Sequence, residues 1–205
     1  MSENAASNPH PDEIAGITLQ RYLKKETWPL HAKTEKAFDL KHRIATPAGY
    51  RNALAALYRL HEASGRALDD LDWAGIEVDL DRSRQRLDWL RADLNYYQFD
   101  IGGLPPTPAL PLADEAEGLG CLYVIEGSML GGEFINRAIQ QRLGVTETTG
   151  GRFFGGFGEN TDAAWSKFVE ALDRHPVAAV GHRAAIGARK TFDLFAALGS
   201  RQDSC

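Results

Sequence analysis

Apolar residues recur at three- and four-residue steps along almost the whole chain, and this spacing restricts the fold more than any other feature of the sequence. Such steps bring side chains to one face of an α-helix. The clearest run contains only apolar or small residues: Leu19, Leu23, Thr27, Leu30, Thr34 and Phe38. Similar stripes follow over 50–71, 80–94, 161–174 and 177–198, whereas no segment of useful length alternates apolar and polar residues. The sequence therefore predicts a single all-α domain of about six helices.

Glycine and proline mark the places where helices are interrupted. The segment 102–108 contains two glycines and three prolines, so we expect a linker that continues neither helix nor strand. Residues 113–143 show a helical pattern that is interrupted by glycines between 127 and 132, which predicts one interrupted helix. The segment 150–158 combines five glycines with three phenylalanines and predicts a loop.

The composition narrows the range of functions. A net charge of −5 over 205 residues disfavours general nucleic-acid binding. No apolar run reaches the roughly 20 residues that a membrane helix needs. Cys121 and Cys205 share no metal-type spacing, and the N-terminal residues lack the basic and apolar parts of a secretory signal. We therefore expect a cytoplasmic protein with one domain over 13–199, a disordered tail over 1–12 and a short tail over 200–205.

His31 stands out among the histidines, because we expect it on the buried stripe of the first helix, beside Thr27 and Leu30. Glu35 follows one turn later on the same face. A histidine that binds a metal usually has its second ring nitrogen held by an acceptor, and a carboxylate is a common one. The same spacing is also typical of an ordinary histidine that is satisfied by its neighbour. Pro29 either begins this helix or lies inside a longer one, and the sequence leaves both open.

Three glycines interrupt the helical pattern of 113–143, namely Gly127, Gly131 and Gly132. Each glycine costs a helix about 1 kcal/mol relative to alanine, so three within six residues need a structural reason. Either a neighbouring helix crosses at close range, for which the Gly127/Gly131 spacing is typical, or a flat ligand lies against the helix backbone. In the second case Ser128 and freed backbone carbonyls could hold ordered water beside the ligand.

The segment around His31 and the segment around the three glycines resemble the biliverdin-forming heme oxygenases, in particular the bacterial branch associated with iron acquisition and bacteriophytochromes. The segment 23–35, LKKETWPLHAKTE, is similar to the proximal helix of that family, and 123–132, YVIEGSMLGG, is similar to its distal helix. The segment 152–158 and Trp165 also resemble the bacterial branch. The likeness extends over most of the chain. It implies a single-domain helical bundle that holds heme between the proximal and distal helices.

The resemblance implies a role for each matching residue of the two helices. His31 matches the axial heme ligand, and Glu35 matches the residue that steadies its ring. Gly127 and Gly131 match the distal glycines that let the helix bend over heme, and Gly132 follows them.

At the rim of the heme pocket, Lys24 and Tyr123 match positions at which bacterial members bind the heme propionates. A propionate prefers a cation or a phenol donor, which agrees with both residue types. Phe192 resembles a residue of the pocket wall. Looser propionate candidates are cations of the last helix, for which a solvated basic face is an equal explanation: Arg183, Arg189 and Lys190.

The function that the resemblance implies is cleavage of heme by O2 to biliverdin, carbon monoxide and ferrous iron. Electrons would come from an external donor such as a ferredoxin or a flavoprotein reductase, and a bacteriophytochrome would be one acceptor of the biliverdin. Animal members have an aspartate where Ser128 stands, whereas the bacterial branch commonly has serine. Proton delivery would then rest on water, backbone carbonyls or another side chain.

Two other functions stay open at this point. A heme carrier or sensor would have the same pocket without turnover, and Ser128 is the feature that favours it. A thiamin-degrading helical protein of related architecture would need a cysteine nucleophile. Cys121 is the only internal candidate, and it stands six residues before Gly127 on a different face of the helix.

Overall fold

The computed structural model describes residues 16–74, 76 and 79–200, and all regular structure within these ranges is helical, which confirms the all-α prediction. In chain order the helices are α1 (Leu19–Phe38), α2 (Leu40–Arg43), α3 (Pro47–Asp69), α4 (Asp81–Tyr96), α5 (Glu115–Gly127), α6 (Gly132–Leu143), α7 (Arg152–Gly155), α8 (Thr161–Leu172) and α9 (Val177–Ser200). Seven of them have 12 residues or more, slightly above the predicted number. Among these helices, none has both the length and the hydropathy of a membrane span.

The two predicted tails fall almost entirely outside the described residues. The tail over 1–12 lies outside them, and so does Cys205. Of the tail over 200–205, only Ser200 is described, and it is the last residue of α9.

Helix α1 follows the predicted apolar stripe closely. Its first turn is capped by Thr18, whose side chain accepts a hydrogen bond from the Arg21 amide. Pro29 lies inside the helix rather than at its start. The buried side chains include most of the predicted stripe: Leu19, Leu23, Thr27, Thr34 and Phe38. One face of α1 therefore packs on the core, and the opposite face carries its exposed lysines.

The glycine-containing segment 113–143 forms two helices instead of the one interrupted helix that the sequence predicts. We call the connecting residues 128–131 the distal bend. At its start the Met129 amide donates to the Glu126 carbonyl at 3.2 Å, three residues back instead of four. This tighter pattern ends the α-helical ladder and releases the Ile125 carbonyl, which would otherwise accept from the Met129 amide.

The predicted loop 150–158 is also partly helical, because it contains α7 and leads into a 3₁₀ turn. Asp93 of α4 starts this helix. Its carboxylate accepts from the Arg152 amide at 2.9 Å and from the Phe153 amide at 2.8 Å. Burial raises the pKa of Asp93 to about 6, although the two amide hydrogen bonds oppose the rise. The glycine-rich pattern gave no sign of α7, because the residue that caps it is distant in sequence.

Helices α5 and α9 cross at the centre of the molecule, and two glycines allow the close approach. A Cβ atom added to Gly120 of α5 would overlap the Ala184 carbonyl of α9. One added to Gly187 of α9 would overlap the Glu117 carbonyl of α5. Helix α9 also packs along α1. The two segments that the sequence singled out, one in α1 and one at the end of α5, are thus supported by the same helix.

Replacing Gly187 with alanine is expected to lower the free energy of unfolding by about 1–3 kcal/mol, because the added methyl group would overlap the backbone of α5. Gly65 in α3 is the matched control, since a Cβ atom there meets nothing within 4 Å. Gly65→Ala should instead raise the free energy of unfolding by up to about 1 kcal/mol. Urea unfolding followed by circular dichroism measures both changes. Equal stability of Gly187→Ala and the parent protein would contradict the close crossing.

Candidate functional site

His31 lies at the margin of the buried face of α1, and its side chain is 47% exposed. The expectation that it lies within the buried stripe is therefore wrong. The buried face is centred on Leu23, Thr27 and Thr34. Successive residues of an α-helix are rotated by about 100°, which carries His31 to the edge of that face. The imidazole is accordingly accessible to a ligand.

Three side chains surround the His31 ring. Its Nδ1 atom lies 3.5 Å from Oε2 of Glu35. The Trp28 ring stacks parallel to it with centroids 5.8 Å apart, and the Phe192 ring of α9 meets it edge-on at 5.9 Å. Because Glu35 lies beside Nδ1, the nitrogen that this arrangement offers to a metal is Nε2.

Phe192 connects His31 to the distal helix through a small cluster of apolar side chains. The cluster draws on α1, α5 and α9, and we call it the apolar wall: Leu30, Tyr123, Val124, Ala188 and Phe192. Val124 belongs to the last turn of α5, directly before the distal bend. His31, through Phe192, and the last turn of α5, through Val124, therefore adjoin the same buried apolar cluster.

Trp165 of α8 extends this surface beyond α5. Its ring centroid lies 6.2 Å from that of Tyr123, and its indole atoms are the nearest neighbours of Gly127. Burial raises the pKa of Tyr123, and a hydrogen bond with Thr27 of α1 opposes the rise. Tyr123, the predicted propionate partner, is thus placed between the proximal helix and Trp165.

The distal glycines do not make a tight helix crossing. A Cβ atom added to Gly127 would meet Trp165 at 3.6 Å, and one added to Gly131 would meet only the Ile135 Cδ1 atom at 3.5 Å, both ordinary van der Waals contacts. At Gly132 the nearest atom is the Phe154 carbonyl oxygen at 3.3 Å. Because Gly127 and Gly131 have room beside them, the helix-crossing explanation is wrong for this pair. The other explanation, a ligand that lies flat against the backbone, stays a prediction.

Three of the four most exposed large apolar side chains lie in or beside the same two segments. The most exposed large apolar residues of the described chain are Trp28, Tyr96, Leu130 and Phe134, with Phe134 reaching 79%. Trp28 stacks on His31, Leu130 belongs to the distal bend, and Phe134 lies in the first turn of α6. Tyr96 belongs to neither segment and meets the Tyr97 ring edge-on instead.

The Ser128 hydroxyl is fixed at the start of the distal bend. It donates to the Ile125 carbonyl at 2.7 Å and accepts from Nη2 of Arg86 at 2.8 Å. A hydroxyl oxygen accepts up to two hydrogen bonds, so one acceptor position remains for a further donor such as water. Its single proton, by contrast, is already engaged.

Arg86 of α4 is the residue of this region that the sequence analysis missed. It is almost fully buried, with 2% of its surface exposed. A signal for it was present, because Arg86 shares a helix face with Leu90 and Leu94, four and eight residues further on. A cation on an apolar stripe indicates either that the buried face was assigned wrongly or that the cation is buried and has partners, and Arg86 is of the second kind.

The looser propionate candidates of α9 are occupied by carboxylates. Nη2 of Arg189 lies 2.6 Å from Glu26 of α1, and Nζ of Lys190 lies 2.7 Å from Glu117 of α5. Arg183 pairs with Asp114. These cations tie α9 to its neighbours. Lys24, which the sequence predicts as a propionate partner, is exposed on α1 one turn before Trp28.

Cys121 lies in the core, away from this surface. It is completely buried in a cluster that includes Leu122 and Ile125. Burial raises the pKa of the Cys121 thiol to about 11, which is the opposite of what an activated thiolate needs. The thiamin-degrading alternative therefore lacks its nucleophile.

The donor set of this surface fits heme. An accessible imidazole contacts Phe192 of the apolar wall, and Gly127 and Gly131, which follow Val124 of that wall, have room beside their backbone. The macrocycle needs one axial nitrogen and two apolar faces, and the site provides groups of both kinds.

Comparisons with known proteins lead to the same family. The family model for heme oxygenase matches residues 17–201. A heme oxygenase of Xanthomonas campestris pv. campestris is 33% identical over 114 residues, which cover 55% of this chain and 66% of that relative. The crystal structure of the NO- and CO-bound heme oxygenase of Neisseria meningitidis superposes with a TM-score of 0.76 and 22% identity, covering 90% of this chain and 91% of that one.

The heme oxygenase of Leptospira interrogans superposes with a TM-score of 0.70 and 19% identity, covering 90% of this chain and 99% of that one. At these identities the two structures show a shared fold, and both are bacterial enzymes. The family model covers most of the chain. With the geometry of the site, this match leads to one conclusion: the chain belongs to the heme oxygenase family of oxidoreductases.

Proposed function

We propose that this chain binds heme between α1 and the distal bend and cleaves it with O2 and externally supplied electrons to biliverdin, carbon monoxide and ferrous iron. Bound heme supplies the iron that activates O2 and is itself the substrate. The observation that carries the proposal is the apolar wall, with the accessible His31 at one end and the glycines of the distal bend at the other. The family match supports the same reaction.

On the proximal side, His31 binds the iron through Nε2, and Glu35 orients the ring from Nδ1. The separation of 3.5 Å between Nδ1 and the Glu35 carboxylate is that of a long direct contact. A neutral histidine ligand does not push strongly toward O–O cleavage, unlike a thiolate. Phe192 and Trp28 restrict rotation of the ring by contacting its edge and its face.

On the distal side, Gly127 and Gly131 let the macrocycle approach the helix backbone, and Gly132 continues the bend into α6. Ser128 acts as an acceptor rather than a proton source, because its proton is donated to the Ile125 carbonyl. It therefore orients a water through its remaining acceptor position. The proton that the reaction consumes reaches the site through such water.

At the rim, Lys24 and Tyr123 bind the propionates. Lys24 offers an exposed cation on α1, and Tyr123 offers a phenol at the edge of the apolar wall. The electron donor that we propose is a ferredoxin or a flavoprotein reductase, and a bacteriophytochrome is a proposed acceptor of the product. The cytoplasmic location stays a prediction.

A heme carrier or sensor is the second candidate function. It is favoured by Ser128, whose proton is engaged in the bend and which therefore supplies no acid group to the distal face. The carrier would share every binding contact described above. It differs only in that the bound heme would survive contact with O2 and reductant.

Turnover separates the two functions. The purified protein is loaded with hemin under anaerobic conditions and then given O2, a ferredoxin with its reductase, and catalase to remove free peroxide. We expect the Soret band to disappear while biliverdin appears on chromatography, and hemin without protein is the control. A Soret band that survives without any bilin would contradict the oxygenase and support the carrier.

A further inference from the structure

Arg86 of α4 contacts both the last turn of α5 and the start of the distal bend. Its Nη1 atom donates to the Ile125 carbonyl at 2.5 Å, and its Nη2 atom donates to the Ser128 hydroxyl at 2.8 Å. The guanidinium also lies over the Phe153 ring, 5.0 Å from the centroid. Burial lowers the pKa of Arg86 to about 10, so that it keeps its charge at neutral pH.

These contacts replace a hydrogen bond that the bend has lost. In a continuous helix the Ile125 carbonyl would accept from the Met129 amide, but that amide donates to Glu126 at 3.2 Å. Arg86 and the Ser128 hydroxyl both donate to the released carbonyl. The Ser128 hydroxyl alone would give this carbonyl one neutral donor, and Arg86 adds a second, charge-assisted one, which stabilises the bent conformation further.

The positive charge of Arg86 is directed at the bend rather than neutralised in contact with a carboxylate. Glu126 raises the pKa of Arg86, but the closest contacts of its carboxylate are with other side chains. Its Oε1 accepts from Ser83 at 2.9 Å, and its Oε2 lies 3.7 Å from Arg82. In a buried region of low dielectric, a cation acts on neighbouring groups more strongly than it would in water.

We propose that Arg86 is a positioning residue for the oxygen-binding face: it fixes the distal bend through Ile125 and Ser128 and places a positive charge behind that face. The part that concerns the bend stands on the contacts alone. The part that concerns the oxygen-binding face rests on the proposed function. The two parts are tested separately, so that failure of one is distinguishable from failure of the other.

Hydrogen exchange in the heme-free protein tests the bend. In Arg86→Met, the Leu130 and Gly132 amides should exchange at least about tenfold faster, because a charge-assisted hydrogen bond is lost. Arg86→Lys keeps the charge but has no planar fork to reach two acceptors, so the same amides should exchange severalfold faster. Arg91→Met is the matched control on α4, where Arg91 pairs with Asp88 near the surface.

Circular dichroism first checks that each variant is folded. If Arg86→Met does not fold, Arg86→Lys alone decides the question. Exchange that matches the parent protein at Leu130 and Gly132 in Arg86→Lys would overturn the proposed clamp. Faster exchange in Arg91→Met to the same extent would overturn it as well, because the effect would then not be specific to Arg86.

The charge is tested in the heme-loaded protein by infrared spectroscopy of the ferrous carbon monoxide complex. A positive potential near the bound ligand lowers the C–O stretching frequency, so Arg86→Met should raise it, whereas Arg86→Lys should leave it near the parent value. An unchanged frequency in Arg86→Met would overturn the electrostatic part of the proposal. If the protein bound no heme, the proposed function would fail, while the exchange experiment would still decide the role of Arg86 in the bend.

Discussion

Replacing His31 with alanine is expected to abolish the imidazole-ligated heme spectrum while the helical circular dichroism stays unchanged. The side chain is half exposed, and two of its three neighbours, Trp28 and Glu35, are exposed residues of the same helix, so its removal should change stability by no more than about 0.5 kcal/mol. The visible spectrum of the protein after addition of hemin measures the loss.

His42→Ala is the matched control, because His42 is exposed on the neighbouring helix α2 and makes no contact with the apolar wall in the described structure. This control should bind hemin with the spectrum of the parent protein. Added imidazole should restore an imidazole-type spectrum to His31→Ala by taking the place of the missing ring. A parent-like spectrum in His31→Ala without imidazole would show that another group binds the iron.

Gly131→Leu is expected to weaken hemin binding at least about tenfold without unfolding the protein. A Cβ atom at Gly131 meets only Ile135 at 3.5 Å, and its φ of −86° is accessible to every residue type. The free energy of unfolding of the heme-free variant should therefore stay within about 1 kcal/mol of the parent value. The leucine side chain would instead occupy the space that we assign to the macrocycle.

Hemin titration and urea unfolding, carried out on the same preparation, separate the two effects. Gly131→Ala is the control of intermediate size and should lose less affinity than Gly131→Leu. If Gly131→Leu bound hemin as tightly as the parent protein, the distal glycines would not face the ligand. If Gly131→Leu were strongly destabilised without heme, the leucine side chain would meet other parts of the protein, and the space beside Gly131 would not be open.

The helical class and the face of α1 were predictable because both follow from periodicity within one helix. Leu19, Leu23, Thr27, Thr34 and Phe38 are buried as their spacing indicates. The same reasoning placed His31 too deep. Periodicity does not define where the buried face of a helix ends. A residue next to Leu30 in sequence, such as His31, can therefore be buried or exposed.

The glycine pattern shows a different limit. The spacing of Gly127 and Gly131 is typical of tight helix crossing, yet the crossing occurs at Gly120 and Gly187. A missing side chain indicates that something comes close to the backbone, but it does not identify the neighbour. Only the partner helix shows that Gly120 meets the Ala184 carbonyl whereas Gly131 has room beside it.

The contacts that shape the distal side are long-range and therefore left no local pattern. Asp93 starts α7 from 59 residues away, and Arg86 holds Ser128 from 42 residues away. Each is a polar residue on the apolar face of α4, where a search for apolar stripes passes over it. The family resemblance supplied the matching residues, His31 and Phe192, and the structure brings their rings to 5.9 Å.

A crystal structure of the protein in complex with hemin would show whether His31 binds the iron and whether the distal bend faces the macrocycle. We expect iron within bonding distance of Nε2 of His31, with the macrocycle lying flat against the backbone of Gly127 and Gly131. Iron bound by another residue, or a macrocycle held away from the distal bend with the His31 ring turned toward solvent, would contradict this expectation.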